Sequence, residues 1–299
     1  MSSVVNPLEP SPAPAQPPTL GLDPAQLLTP VAWFLALLIL CYLPVLAMLV
    51  KQWNDDPDMG HGFFVPVIAG YVAWQKRDEL LAAPLKSSWL GLVIVVYAAL
   101  QGYIGSLGAE LFLARTAFVE AIVGTVLFMG GWPALRILSF PLALLVFMVP
   151  IPAVIYNQIT FPLQIFASQV AAFALELLGI PVLREGNVLE LPSQKLSVVE
   201  ACSGIRSLLS LSFLSLVYAF FFDTKPWMRI ALLISTVPIA IIANSFRVTL
   251  TGVMSEVNPE LAHGLMHTAQ GWVIFMIALV VLVFTHQVIN RIYKAFHRA

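Results

Sequence analysis

Long apolar runs, separated by short polar or Pro/Gly-containing links, recur along the chain from residue 31 onward. A helix needs about 20 apolar residues to cross a hydrocarbon core of about 30 Å. On that scale the pattern predicts eight spans, over roughly 31–50, 62–76, 89–105, 111–131, 135–150, 201–222, 229–248 and 267–290. Two segments depart from it. Residues 154–178 are apolar but interrupted by Asn157, Gln158, Pro162, Gln164, Ser168, Gln169 and Glu176, which predicts an amphipathic helix lying at or dipping into the interface, with a ninth span as the alternative. Residues 180–199 alternate with period two around Gly186-Asn187 and predict a small β-hairpin.

Composition narrows the class. Hydrophobic residues make up 59% of the 299 and charged residues only 10%, against ~25% charged in soluble domains. A disordered chain and a soluble enzyme are excluded, and two cysteines, Cys41 and Cys202, are too few for a disulfide framework. Cys41, in mid-span, reads as a small packing residue. Residues 1–30 carry eight prolines and no Lys or Arg, an extended, flexible tail. No basic segment precedes the first apolar run, so that run reads as a retained helix and not as a secretory signal. The expected organisation is this tail followed by one transmembrane domain over 31–299, all-α and polytopic, with an interfacial helix and an outer hairpin.

Charge placement orients it. With the amino terminus inside and eight spans, Lys76, Arg77, Lys86, Arg136, Lys225, Arg229, Arg291, Lys294 and Arg298 fall inside, and only Lys51, Arg184 and Lys195 outside. That obeys the positive-inside rule and predicts both termini in the cytoplasm. A net charge of −1 gives no basic surplus for nucleic acid. No phosphate-binding glycine loop, His-Glu-x-x-His motif or dinucleotide fingerprint is present, so neither cofactor nor metal is expected.

Ionisable groups inside spans are costly and mark function by default. In this topology Cys202 begins one span at its outer end, Arg206 follows four residues on, Arg247 ends the next span, and His263 and His267 begin the last. A thiol at a helix amino terminus has its pKa lowered by the dipole and by nearby cations. An arginine stabilises an oxyanion, and an imidazole moves the proton. Blander readings stand beside this one: Arg206 and Arg247 as structural ties to Glu200 and Glu256, His263 and His267 with Glu260 as a weak metal motif, and Arg115 with Glu120 as an intramembrane ion pair.

Val198 to Leu211, VVEACSGIRSLLSL, resembles the cysteine motif of the exosortase/archaeosortase family. In the same order, Asp56-Pro57 with His61-Gly62-Phe63 and Val65-Pro66 resembles its early outer-loop signature. Phe140 to Pro152 and Glu185 to Leu191 resemble the segments before the cysteine. Asn244 to Val248 resembles its Asn-x-x-Arg motif and His267 to Gly271 its His-x-x-x-Gly motif. One departure is Gly60, where the family often has serine before the early His-Gly; it bears on the role of His61.

The resemblance implies a membrane cysteine transpeptidase of a bacterial inner membrane, with its site at the outer face. Its partners would be the lipid bilayer and exported proteins bearing a carboxyl-terminal signal: a Pro-Glu-Pro-like motif, a transmembrane helix and a basic cluster. The acceptor nucleophile is not implied. Cys202 would be the nucleophile, Arg247 would polarise the carbonyl and His267 would be the acid/base. Arg206, Ser203, Asn244 and His61 would support them, with His263 as rival to His267. The closest alternative is a sorting protease that only hydrolyses; the others are a non-catalytic scaffold, which predicts that Cys202→Ala retains function, and a transporter, which predicts broken helices and mid-membrane charges.

Overall fold

The computed structural model describes residues 24–198, 204–258 and 264–297. Contacts divide the chain into two units, Met1–Tyr42 and Leu43–Ala299. In the first, α1 (Pro24–Cys41) begins inside the stretch read as tail. Proline suits a first turn because its missing N–H would have no helical partner there. Cys41 is exposed on α1, so it is not the packed residue expected of it.

The second unit holds α2 (Leu43–Asp55), a 3-10 helix (Pro57–Phe63), α3 (Phe64–Gln75), α4 (Arg77–Ala82), α5 (Trp89–Leu107) and α6 (Leu111–Ile137). There follow α7 (Ser139–Leu144) with a 3-10 turn (Leu145–Met148), α8 (Ala153–Leu177), strands β1 (Leu183–Glu185), β2 (Val188–Glu190) and β3 (Lys195–Ser197), then α9 (Gly204–Phe222), α10 (Pro226–Val257) and α11 (Gly264–Phe296).

Among the described residues, five helices are long and apolar enough to cross a membrane, or six if α1 and α2 count as one span. This count leaves the expected eight unconfirmed, with α9 represented only by the shorter stretch Ser207–Phe222. Two of the predicted spans, 62–76 and 135–150, became half-length elements: α3 has 12 residues, and the apolar stretch Ser139–Met148 is also short. At 1.5 Å per residue they reach only about 15–18 Å, roughly half a bilayer core. They pack on each other and on α9 through aromatic pairs, Phe140 with Phe220 at 4.5 Å, Phe147 with Phe213 at 5.9 Å and Tyr71 with Phe221 at 6.1 Å.

Helix α8 bears on the choice between an interfacial helix and a ninth span. Residues expected along the interface form one unbroken 25-residue helix that meets the length and apolarity of a span. Part of its polar face is covered by protein, while Asn157, Gln158, Gln169 and Glu176 stay exposed. Thr160, Gln164 and Ser168 recur every four residues, share one helix face and are buried. Gln164 Oε1 accepts from Asn187 Nδ2 at 3.2 Å, and Ser168 Oγ donates to Gly186 O at 2.8 Å. Gln164 and Ser168 thus bond to the β1–β2 turn, whereas Thr160 Oγ1 donates within the helix to Asn157 O at 3.2 Å.

That sheet has the order β1-β2-β3, antiparallel throughout. The β1–β2 turn runs through Gly186 at φ +62, a backbone region open to glycine at no steric cost. Leu189, Leu196 and Val198 are buried with Ala167, Ala171 and Leu175 of α8 and Val248 of α10. The sheet therefore ties α8 to α10 immediately beside Arg247.

Candidate active site

Three contacts align the carboxyl-terminal helices. Ser212 Oγ of α9 lies 3.1 Å from Thr236 Oγ1 of α10. Tyr218 Oη of α9 lies 3.0 Å from His286 Nδ1 of α11. Between α10 and α11, Thr251 Oγ1 donates to Gln270 Oε1 and Gln270 Nε2 donates to Arg247 O, both at 3.2 Å. Carried along antiparallel α9 and α10, the first contact sets Gly204 level with Asn244. Carried along parallel α9 and α11, the second sets Gly204 level with Trp272. The start of α9, the Asn244–Arg247 turn of α10 and the first turns of α11 thus occupy one end of the three-helix group.

Arg247 carries the sharpest geometry. A methyl group at Gly271 would lie 2.9 Å from Arg247 Nη2 and 3.1 Å from its Cζ. The guanidinium therefore rests on the bare backbone of α11. Gly271 follows His267 by four residues, one turn along the same helix face. The spacing His-x-x-x-Gly thereby acquires a physical reading: the glycine is a seat for the arginine, on the face that carries the histidine.

Asn244 is buried. It lines a narrow, mostly apolar cleft with Leu163 of α8, Leu208 of α9 and Val237, Ala240 and Ile241 of α10. Leu208 lies one turn beyond the start of α9, so the cleft reaches the level of the site. Of the remaining candidates, Cys202, Ser203 and His263 lie outside the described residues. Arg206 and His267 stand in the first turns of α9 and α11 as backbone positions.

His61 lies elsewhere. Its Nε2 is 3.2 Å from Phe147 O and its ring 6.4 Å from that of Phe213, against the middle of α9. Burial pushes its pKa below the ordinary histidine value, outweighing backbone hydrogen bonds at Phe147 and Asp58 that favour the charged form. The segment around it explains itself as structure. Asp56 Oδ1 caps the 3-10 helix by accepting from Asp58 N at 2.9 Å. Gly62 leaves room for the Trp53 indole, whose Nε1 donates to Met148 O at 3.0 Å.

One residue was missed from the sequence and another given the wrong partner. Gln270 is buried and holds α11 to the Arg247 carbonyl; a lone amide in an apolar helix was the available signal. Arg115 does not pair with Glu120 as expected. Five residues apart, they point about 140° away from each other around α6. Glu120 Oε1 accepts from Gln101 Nε2 at 3.3 Å, and Arg115 turns toward a separate pocket.

A model of the transmembrane exosortase family (Exosortase_EpsH) matches residues 53–284, well over half of the chain. No curated protein and no solved structure matches it.

Proposed function

This chain belongs to the transmembrane exosortase family, and from that premise we propose that it is a cysteine transpeptidase acting on carboxyl-terminal sorting signals at the outer face of a bacterial inner membrane. Family membership carries a membrane transpeptidase role in protein sorting; the residue roles and the orientation are the reading offered here. The observation that supports it most is the seat of Arg247 on Gly271, one turn from His267 and level with the start of α9. Cys202 stands two residues before Gly204 in the sequence.

In this reading the Cys202 thiolate attacks the scissile carbonyl carbon. The carbonyl electron pair moves onto oxygen, where Arg247 stabilises it. The C–N bond then breaks, a thioester forms, and protonated His267 gives its proton to the leaving amine. An acceptor nucleophile attacks the thioester, loses its proton to His267 and releases the thiolate; water in that place yields a carboxylate. Arg206 and Ser203 support the thiolate, Asn244 borders the reacting centre, and His263 is the rival base. His61, against the middle of α9, is a support for the fold around the site.

Orientation follows from these three helices alone, without counting spans upstream. Lys225, Arg229, Arg291 and Lys294 all sit toward the end of the group that carries Asp223, opposite the site. By the positive-inside rule that end is cytoplasmic, which puts the site outside.

The test is a tagged substrate with a sorting signal, followed by immunoblot in cells carrying Cys202→Ser, Arg247→Ala or His267→Ala. The first should abolish processing. Loss of the oxyanion cation is expected to cost ~10²–10³ in rate and loss of the acid/base ~10²–10⁴, each at normal enzyme abundance. Normal processing by Cys202→Ser would remove the nucleophile assignment. Mass analysis of the product's carboxyl terminus separates transfer from hydrolysis.

A further inference from the structure

A second polar site lies apart from the one above, where the end of α2, the 3-10 helix, the start of α6 and the start of α8 converge. The cavity there holds about 370 Å³, within the range of small-molecule sites. Its walls carry three carboxylates, Asp56, Asp58 and Glu110, together with Arg115 and Tyr156. Pro150 to Ala153 and Leu111-Phe112 form its apolar side.

Arg115 is the anomaly. It is only 6% exposed, it lines the cavity, and its Nε has no hydrogen-bond partner. No salt bridge joins it to any carboxylate among the described residues. Its guanidinium feels Glu110 only through the field. A buried guanidinium without an acceptor is expensive, because desolvation is not repaid. Two of the carboxylates are already partly engaged: Asp56 takes the Asp58 N–H, and Tyr156 Oη donates to Asp58 Oδ2 at 2.6 Å. Glu110 stands exposed at the amino-terminal edge of α6 with no capping hydrogen bond.

These charges restrict what fits. A plain anion would satisfy Arg115 but meet three carboxylates. A plain cation would satisfy the carboxylates but leave Arg115 without an acceptor. We propose that this cavity binds a compact zwitterion, a primary ammonium joined to a phosphate or carboxylate, with the anionic group on Arg115 and the ammonium among Glu110, Asp56 and Asp58. The apolar wall accommodates the short hydrocarbon between or beyond them. Such a group is carried both by free solutes and by aminophospholipid head groups.

The test uses the full chain purified in detergent, with O-phosphoethanolamine and inorganic phosphate as soluble probes and calorimetry as readout. Wild type should bind O-phosphoethanolamine at least tenfold more tightly than phosphate. Arg115→Gln should lower affinity for O-phosphoethanolamine tenfold or more. Glu110→Gln, an exposed change that spares the fold, should weaken O-phosphoethanolamine and strengthen phosphate, inverting a preference that a merely structural carboxylate would not touch. In nanodiscs, a rise in melting temperature with phosphatidylethanolamine over phosphatidylglycerol, abolished by Glu110→Gln, assigns the lipid source. Binding of the soluble probe with no such rise assigns a free solute. If wild type binds neither form, or Glu110→Gln leaves the preference as it was, the proposal is wrong. Neither readout depends on peptide transfer, so failure here leaves the Cys202 reading standing, and failure there leaves this one.

Discussion

Gly271 shows how much chemistry one missing methyl can carry. Any side chain there would push Arg247 off its seat, since the first carbon already falls 2.9 Å from Nη2. Gly271→Ala is therefore expected to lower substrate processing about 10²-fold, the usual consequence of an ångström of misplacement at a reacting centre. Its stability should change little, because the atoms displaced are the far end of a flexible side chain and alanine favours a helix interior by about 1 kcal/mol. Processed fraction by immunoblot and melting temperature of the purified protein separate the two effects. His61 makes a different prediction. Its folded-state pKa lies below the unfolded value near 6.5 because burial disfavours the imidazolium. Above pH 6.5 both states are neutral and stability is flat. As pH falls through that value the unfolded chain takes up the proton first, so stability declines until the folded-state pKa is passed. The melting temperature should fall on acidification from pH 7 to pH 5, and His61→Gln should flatten that slope. An unchanged slope would mean that the titration resides elsewhere.

Helix α8 shows why an element's polar residues do not reveal its place in a membrane. Gln164 and Ser168 resemble a headgroup-facing stripe in sequence, yet they bond to Asn187 and Gly186 of the sheet. The exposed side of α8 carries Phe161, Phe166 and Phe173 together with Asn157, Gln158, Gln169 and Glu176. If α8 crosses the bilayer, single cysteines at Val154 and Leu178, in a Cys41→Ser, Cys202→Ser background, will react with an impermeant maleimide from opposite sides of the membrane. Labelling of both from one side would return the helix to the interface. The half-length pair α3 and Ser139–Met148 makes the complementary point. Each is apolar enough to suggest a span, and each is too short to complete one, so their apolar surface is spent on each other and on α9.

Across the second unit, the site end of α9–α11 is balanced by a polar lock at the other end. Asp223 is buried. Its Oδ1 accepts from Lys225 N at 2.8 Å, its Oδ2 lies 3.1 Å from His286 Nε2, and His286 reaches Tyr218 on α9. Burial alone would raise the Asp223 pKa. The Lys225 N–H, His286 and the Lys225 ammonium outweigh it and hold the carboxyl below its ordinary value. The stabilisation is thus present at neutral pH and lost as pH falls through the carboxylate range. Asp223→Ala leaves buried partners unmet and should cost about 3–5 kcal/mol, read by denaturant unfolding in detergent at pH 7, with the deficit shrinking toward pH 3. Because the lock sets the register of three helices, the same variant should also slow processing at the far end.

Hydropathy, charge and motif order were sufficient for the membrane class and the family resemblance, but they put Arg247 at a helix end, whereas α10 runs on to Val257. Those properties are local: an apolar run must leave water whatever it packs against, and short links keep consecutive helices adjacent. The tertiary structure alone decided that two apolar runs stop halfway, that α8 turns Gln164 and Ser168 toward a three-stranded sheet, and that Arg115 faces a cavity and not Glu120. Lipid and protein interior are equally apolar, so hydrophobicity reports that a residue leaves water without reporting which of the two receives it. For the same reason a buried polar side chain acquires its meaning only from the group that the fold brings to meet it.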